Sequence, residues 1–418
     1  MYLSLKDRPG DAGTAQRLKS VAVPATVVML GAVSLLTDVS SEMVNAVLPM
    51  YLTAKVGLGL LAYGFIDGLY QGVSAFLRIA GGYLGDRVRR PKWVAAAGYG
   101  ASAVSRILML PATGLLTITG VVTMDRLGKG LRTAPRDSMI AESTEPDQLG
   151  RSFGVHRAMD TVGAAIGPLV AFGILLWVPD SYNSIFVVSF AFAVVGVAVL
   201  LLLVPDVRTR AVTGAKSRAA ILKAAVAPGL RKPLVAFGLL SLLTVGDGFL
   251  YLSLQQRDQL AVEVFPLLYV GTNVAFLALA VPLGRLADRI GRGRVLVGGH
   301  VALLIAYLCA GGPLIGPAMT ISTLVFLGVF YASTDGVLSA LVSRIAPAEG
   351  RGSAIAAAQT VVVLARFGAS VAFGGLWVLI GPEKGLLAAA VALLAMLPVA
   401  AWLLRERRPA TQQLGATQ

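Results

Sequence analysis

Ionisable side chains interrupt long apolar stretches of this 418-residue chain, and these side chains are the ones best placed to do chemistry. Seven acids occur in such stretches: Asp38, Glu42, Asp67, Asp125, Asp160, Asp247 and Asp335. Seven bases do so as well: Arg78, Arg106, Arg126, Lys129, Arg132, Arg157 and Arg366. Burying one charge at the centre of a membrane costs roughly 2.5–3.5 kcal/mol even on lenient insertion scales. We therefore expect most of these groups to face a wet cavity, to pair with each other, or to lie nearer the membrane surface.

The first apolar stretch contains Asp38 and Glu42, which are four residues apart and therefore share one face of a helix. Two carboxylates about 6 Å apart repel each other, which suits such a pair to capture and release a proton or to neutralise a cationic solute. The alternative is structural, with one carboxylate capping a helix or pairing with an arginine. We predict a proton-coupling role for Asp38 and Glu42.

The second and fourth stretches carry further polar faces. Asp67, Gln71 and Arg78 follow one another at helical spacing, and we interpret this stripe as cavity lining, with a partner helix as the alternative. In the fourth stretch Asp125, Lys129 and Arg132 share a face, and Arg126 points about a quarter turn away. This positive cluster either attracts an anionic group of a substrate or forms a salt-bridge network with acids of neighbouring helices.

Fewer charged residues occur in the second half of the chain. The candidate cavity residues there are Asp247, Tyr269, Asn273, Asp335, Gln359 and Arg366. Arg157 is a further cavity candidate in the fifth stretch, where Asp160 is a candidate for proton coupling. His300 is expected to be a buried neutral histidine.

Composition determines the elements that must position these side chains. The chain is 56% hydrophobic and only 14% charged, whereas soluble domains carry about 25% charge. A membrane-spanning helix needs roughly 20 mostly apolar residues. Twelve such segments are predicted, at 21–52, 59–84, 93–112, 115–140, 153–177, 185–204, 233–255, 264–287, 295–313, 317–343, 353–378 and 385–404. We predict an all-α integral membrane protein.

The distribution of basic residues predicts the orientation. Of the 36 Lys and Arg, 26 fall in segments on the side of the N-terminus and 3 in the opposite loops. The positive-inside rule then places both termini in the cytoplasm of a multi-pass protein of the cell membrane. The same distribution accounts for the net charge of +14 without nucleic acid, and some attraction of these residues to anionic lipid headgroups is expected as a by-product. One Cys and two His leave no basis for a metal site, and no cofactor is predicted.

The chain divides into two similar halves. We predict a cytoplasmic segment at 1–20, six-helix bundles at 21–204 and 233–404, a cytoplasmic linker at 205–232 and a tail at 405–418. Short sequences recur in the same order at offsets of 207, 202 and 200 residues. Two related bundles are typical of transporters that rock about a site near the middle of the membrane.

The repeated loops resemble the signature of the major facilitator superfamily. The second copy runs from Gly284 to Arg294 and the first from Gly82 to Lys92. The resemblance implies twelve helices in two pseudo-symmetric bundles, a monomer, and a gating role for residues of these loops: Gly82, Asp86, Arg87, Gly284, Asp288 and Arg289.

Two further motifs are similar to those of the same superfamily. Arg126 followed by Gly130 resembles a helix 4 motif whose arginine is linked to proton coupling. Gly163, Gly167 and Pro168 resemble the helix 5 motif of antiporters, which favours exporters over importers. A small-residue face for helix packing is the simpler interpretation of this second motif.

The leading hypothesis is a secondary transporter that exports a small organic solute or drug in exchange for protons. The alternative is an exchanger or uptake carrier for organic anions or phosphorylated metabolites, using Arg78, Lys129, Arg132 and Arg366. A lipid-handling or receptor-like protein of the same fold is a third possibility. No Walker loop and no nucleophile–base arrangement is found, so an enzyme is not expected.

Overall fold

A computed structural model describes residues 23–85, 90–145, 147–206, 228–345 and 351–405. These residues form helices and no β-strand, with a π-helical turn at Tyr51–Lys55 and a 3₁₀ turn at Val262–Val264. The first half contains α1 (Ala25–Met50), α2 (Leu60–Gly85), α3 (Pro91–Leu108), α4 (Gly114–Glu142), α5 (Leu149–Trp177) and α6 (Tyr182–Leu203). The second half contains α7 (Pro228–Leu242), α8 (Asp247–Arg257), α9 (Phe265–Ile290), α10 (Arg292–Gly311), α11 (Pro317–Thr334), α12 (Val337–Ile345), α13 (Arg351–Ile380) and α14 (Pro382–Leu403).

These helices make twelve membrane crossings, because two crossings of the second half are each built from two helices. α7 and α8 share the crossing Gly229–Arg257, and α11 and α12 share Pro317–Ile345. Within the described residues, nine stretches are long and apolar enough to cross a membrane, and α2, α3 and α4 complete the set. The predicted twelve-helix fold in two halves is confirmed. Most of the segment predicted as a linker lies outside the described residues.

The break between α7 and α8 leaves backbone groups without helical partners inside the membrane. Tyr307 of α10 satisfies two of them, because its hydroxyl accepts a hydrogen bond from the Val245 N–H at 2.7 Å and donates one to the Leu243 carbonyl at 3.0 Å. Irregular backbone at membrane depth requires such partners, since no water is available there to replace them. The second break follows Asp335, where Gly336 adopts a positive φ of 78°.

Glycines allow helices of the first half to pack closely. A Cβ atom on Gly167 of α5 would lie 2.8 Å from the Val39 carbonyl of α1, and one on Gly128 of α4 would lie 2.5 Å from the Gly98 carbonyl of α3. Gly163 likewise faces the backbone of α1 at Leu35. Small residues at these positions let helix backbones approach each other, which is the main source of packing energy between helices in lipid.

The two halves meet at one end of the molecule. The start of α2 packs on the end of α13, where a Cβ on Gly374 would lie 2.6 Å from the Leu60 carbonyl. At the same end, Gly248 of α8 lies against Tyr63 and Pro49 of the first half. The chain direction places these contacts on the side of the short loops that are poor in Lys and Arg. By the positive-inside prediction this is the non-cytoplasmic side, so the halves are closed there.

A loop contact at the same end links three helices. Asp258 follows α8, forms an ion pair with Arg257 at 2.9 Å and accepts a hydrogen bond from Thr320 of α11. Arg257 in turn donates to the carbonyls of Cys309 and Ala310 at the end of α10. Burial by itself would raise the pKa of Asp258, but the hydrogen bonds from Arg257 and Thr320 outweigh it and lower that pKa.

We predict that Gly374→Ala destabilises the closed end. The added methyl group must displace the backbone of α2 or α13, and overpacking of this kind costs roughly 1–3 kcal/mol. Thermal unfolding of the purified protein in detergent measures the effect. Gly375→Ala is the matched control, because its Cβ would meet Leu61 only at 3.8 Å. Equal melting temperatures for the two variants would contradict the close packing of α2 and α13.

Candidate functional site

Two adjoining cavities lie between the halves. The larger has a volume of about 440 Å³ and the smaller about 200 Å³, and Glu42, Asn45 and Asp335 line both. Six residues predicted from the sequence to act at the site line the larger cavity: Glu42, Arg126, Lys129, Asp335, Gln359 and Arg366. Three more predicted residues line the smaller one: Asp247, Tyr269 and Asn273. The volume of the larger cavity is that of a site for a small organic molecule.

A compact ion-pair cluster lies behind the cavity wall in α3 and α4. Asp125 pairs with Arg106 at 2.6 Å and accepts a hydrogen bond from the Arg126 Nε at 3.0 Å. The Arg126 guanidinium also lies 3.6 Å from the centre of the Tyr70 ring of α2, a cation–π contact. Asp125 and Arg106 are almost completely buried. The two arginines therefore neutralise Asp125, and Arg126 reaches the cavity with part of its charge compensated.

A second group of charges connects α1, α4 and α5. Arg132 lies 3.7 Å from Asp38 and 4.5 Å from the centre of the Tyr99 ring. Arg136 lies 4.0 Å from Asp160 and donates a hydrogen bond to Ser34 at 3.2 Å. Asp38 and Asp160 therefore pair with α4 and do not line the two central cavities.

Lys129 is the link between this group and the cavity. Its ammonium group lies near Asp38 and Glu42 of α1, and also near the cations Arg126 and Arg132 of its own helix. Within the described part of the chain, no carboxylate lies within 4.0 Å of it. Lys129 therefore lines the larger cavity without a close ion pair to either carboxylate of α1.

The halves also share a polar contact at the closed end. Asp67 of α2 accepts a hydrogen bond from Ser370 of α13 at 2.5 Å, and it lies against Gly246 at the break before α8. On the far side of that break, Asp247 accepts a hydrogen bond from Tyr331 at 2.6 Å. Asp67 is therefore a contact between the halves, and Asp247 opens toward the smaller cavity.

The structure corrects four predicted cavity positions. Asp67, Asp125 and Arg132 do not line either central cavity, because they are held in the contacts just described. Arg157 is also outside, with a side chain that is 78% exposed and lies 3.5 Å from Asp160. The side chains of Gln71 and Arg78 lie outside the described residues.

The loop residues predicted to gate the transporter are only partly described. Asp86 and Arg87 lie outside the described residues, and Gly82 and Gly284 lie within α2 and α9. Asp288 pairs with Arg292 at 3.1 Å, while Arg289 has no ion pair among the described residues. Arg292 also donates to the Ala340 carbonyl of α12 at 2.8 Å, so this loop contacts the broken crossing.

Sequence reasoning missed several cavity residues. Asn45 lies in both cavities and donates a hydrogen bond to Glu42 at 3.0 Å, which its spacing of three residues on α1 could have indicated. Tyr331 also lines the smaller cavity, and its position one helical turn before Asp335 could have indicated this. His300 is buried, as expected from the sequence, and it lines the larger cavity with Nδ1 2.8 Å from the Leu296 carbonyl. Its helix is not peripheral at this point, since α10 packs directly on α11 and faces the cavity there.

Twelve crossings in two halves around a charged central cavity define a secondary transporter. The chain belongs to the Major Facilitator Superfamily, whose sequence profile matches residues 30–268 and 253–418. Membership indicates a transporter of small molecules and not an enzyme.

Relatives and solved structures agree with this assignment. An uncharacterized MFS-type transporter of Methanocaldococcus jannaschii is 32% identical over 366 residues, covering 85% of this chain and 89% of the relative. The multidrug resistance protein MdtH of Photorhabdus laumondii is 28% identical over 138 residues, covering 33% of this chain and 34% of that protein. The crystal structure of the nucleoside transporter NupG superposes with a TM-score of 0.79 at 13% identity, covering 92% of this chain and 100% of NupG, a likeness of fold alone.

We predict that Asp125→Asn destabilises the protein much more than Asp335→Asn does. The first change leaves two buried arginines without their shared anion, and breaking a buried pair typically costs about 3–5 kcal/mol. Asp335 lies on the cavity wall, is exposed, and has no ion pair among the described residues. Melting temperatures of the two purified variants test this. A larger loss for Asp335→Asn would mean that the assignment of Asp125 as the structural acid is wrong.

Proposed function

We propose that this transporter exports a small organic solute in exchange for protons. The observation that carries the proposal is the arrangement of the two acids of α1. Glu42 lines the solute cavity, Asp38 lies one helical turn away beside Arg132, and Lys129 interacts with both. Proton-binding groups and the solute space therefore share one helix face and one neighbouring cation.

The exchange follows from electrostatics at Lys129. While Asp38 and Glu42 are ionised, they attract the Lys129 ammonium group and hold α1 and α4 together. A proton on either acid removes part of that attraction, so the charge balance of the cavity changes with proton occupancy. A solute whose binding depends on this charge balance then binds best in one protonation state, and this links proton movement to solute movement.

Two further observations support export. Gly167 belongs to the α5 sequence that resembles the antiporter motif. It lies against α1 at Val39, Met43 and the Cβ of Glu42, so α5 positions the helix that carries both acids. The similarity to a multidrug resistance protein over a third of the chain points the same way. We further propose that the protein acts as a monomer in the cell membrane, with both termini in the cytoplasm.

A carrier for organic anions is the second candidate. Lys129 and Arg366 line the larger cavity from opposite halves, and neither has an ion pair among the described residues. Arg132, which the sequence grouped with them, lies near Asp38 and outside the cavity.

We predict that Asp38→Asn and Glu42→Gln each reduce proton-driven transport at least tenfold. Each change removes a proton-binding group but keeps the side-chain size. A substrate is first found by growth screening in a strain without its own exporters, where Asp38→Asn should restore sensitivity. Flux is then measured in proteoliposomes with an imposed pH gradient and, separately, as solute counterflow without one.

Counterflow should persist in both variants, because it needs no net proton movement. Asp206→Asn is the control, since Asp206 is an exposed acid beyond α6. Full gradient-driven flux in both Asp38→Asn and Glu42→Gln would rule out the proposed coupling site. Inhibition by phosphate-like anions, together with dependence on Lys129 but not on Asp38, would favour the anion carrier.

A further inference from the structure

The larger cavity is lined by more basic than acidic residues. Arg126, Lys129 and Arg366 line it together with Glu42 and Asp335. Arg126 is compensated by Asp125, but Lys129 and Arg366 are not paired within the described residues. The Nε of Arg366 is buried and has no hydrogen-bond partner among the described residues. A largely buried guanidinium without an acidic partner is costly, and an anionic ligand group in the cavity would compensate its charge.

The smaller cavity has the opposite character. Its charged lining residues, all within the described chain, are the acids Glu42, Asp247 and Asp335. Aromatic rings complete its wall: Tyr251, Tyr269, Phe276 and Tyr331. The rings of Tyr251 and Tyr269 lie 4.5 Å apart at 68°, so they form a rigid aromatic corner. Carboxylates together with aromatic faces are the surroundings that an organic cation prefers.

The two cavities share the wall formed by Glu42, Asn45 and Asp335, so one molecule could occupy both. We infer that they form a single bipolar site for a zwitterionic aromatic solute. Its anionic group binds between Lys129 and Arg366, and its cationic amine lies beside Asp247 among the tyrosines. A solute with only one of these charges leaves the other end of the site uncompensated. This inference rests on the proposed transport function and names the substrate class of the same site.

The test uses ciprofloxacin, an aromatic molecule with a carboxylate at one end and a piperazine ammonium at the other. Its methyl ester keeps only the cation, and its N-acetyl derivative keeps only the anion. Isothermal titration calorimetry on the purified full-length protein measures all three without a proton gradient. We expect the zwitterion to bind roughly tenfold more tightly than either derivative, a difference of about 1.4 kcal/mol.

Two variants test which residue binds the anionic group and which binds the cationic group of the solute. Arg366→Gln should weaken ciprofloxacin binding roughly tenfold and change the affinity of the methyl ester less than twofold. Asp247→Asn should weaken ciprofloxacin binding similarly and leave the N-acetyl derivative unchanged. Arg366→Lys, which keeps the charge, should restore most of the affinity. Arg344→Gln is the matched control, because Arg344 is exposed on α12.

Three results would overturn the inference: a derivative that binds as tightly as the zwitterion, equal effects of Arg366→Gln on zwitterion and ester, or no saturable binding of any of the three compounds. Because binding is measured at a single pH and without a gradient, its outcome does not depend on whether proton movement drives transport. If Asp38→Asn and Glu42→Gln both kept full gradient-driven flux while the bipolar pattern held, the proposed coupling would fail and the substrate class would stand.

Discussion

An ionised group inside a membrane must have either a partner of opposite charge or water, and the central architecture of this transporter follows from that constraint. Asp125 satisfies it through Arg106 and Arg126, and Asp38 through Arg132. These ion pairs hold α1, α3 and α4 together. At roughly 2.5–3.5 kcal/mol for each unpaired charge, a cluster of this size facing lipid would outweigh the stability of the fold.

Several of the charges that are not paired in this way line the two cavities. Lys129 and Arg366 reach the cavity from opposite halves, and Asp247 and Asp335 lie beside the two helix breaks in the second half. Each break therefore lies beside an acid that lines a cavity, so irregular backbone and the central cavities occur together. In the binding mode inferred above, relative movement of the halves would separate Lys129 from Arg366, and solute binding would thereby depend on the conformation.

Hydropathy and charge distribution were sufficient to predict the crossings and the two halves. They also predicted several cavity residues, since a charged residue in a crossing helix must face protein or water. The rotation of each helix could not be predicted from the sequence. The prediction therefore placed Arg157 in the cavity, whereas its side chain is exposed outside it. The breaks escaped detection because hydropathy continues through them. The partner of Asp67 is Ser370, which is 303 residues away, and a single sequence holds no signal for such a pair.

The most direct test of this account is whether the central cavity is an aqueous space open on one side only. A single cysteine at Gln359→Cys, in a Cys309→Ser background, lies in the wall of the larger cavity. In membrane vesicles of defined orientation, a membrane-impermeant thiol reagent should label this cysteine from the cytoplasmic face and not from the opposite face. Labelling from neither face, or equally from both, would contradict a water-filled cavity closed by the contact between α2 and α13.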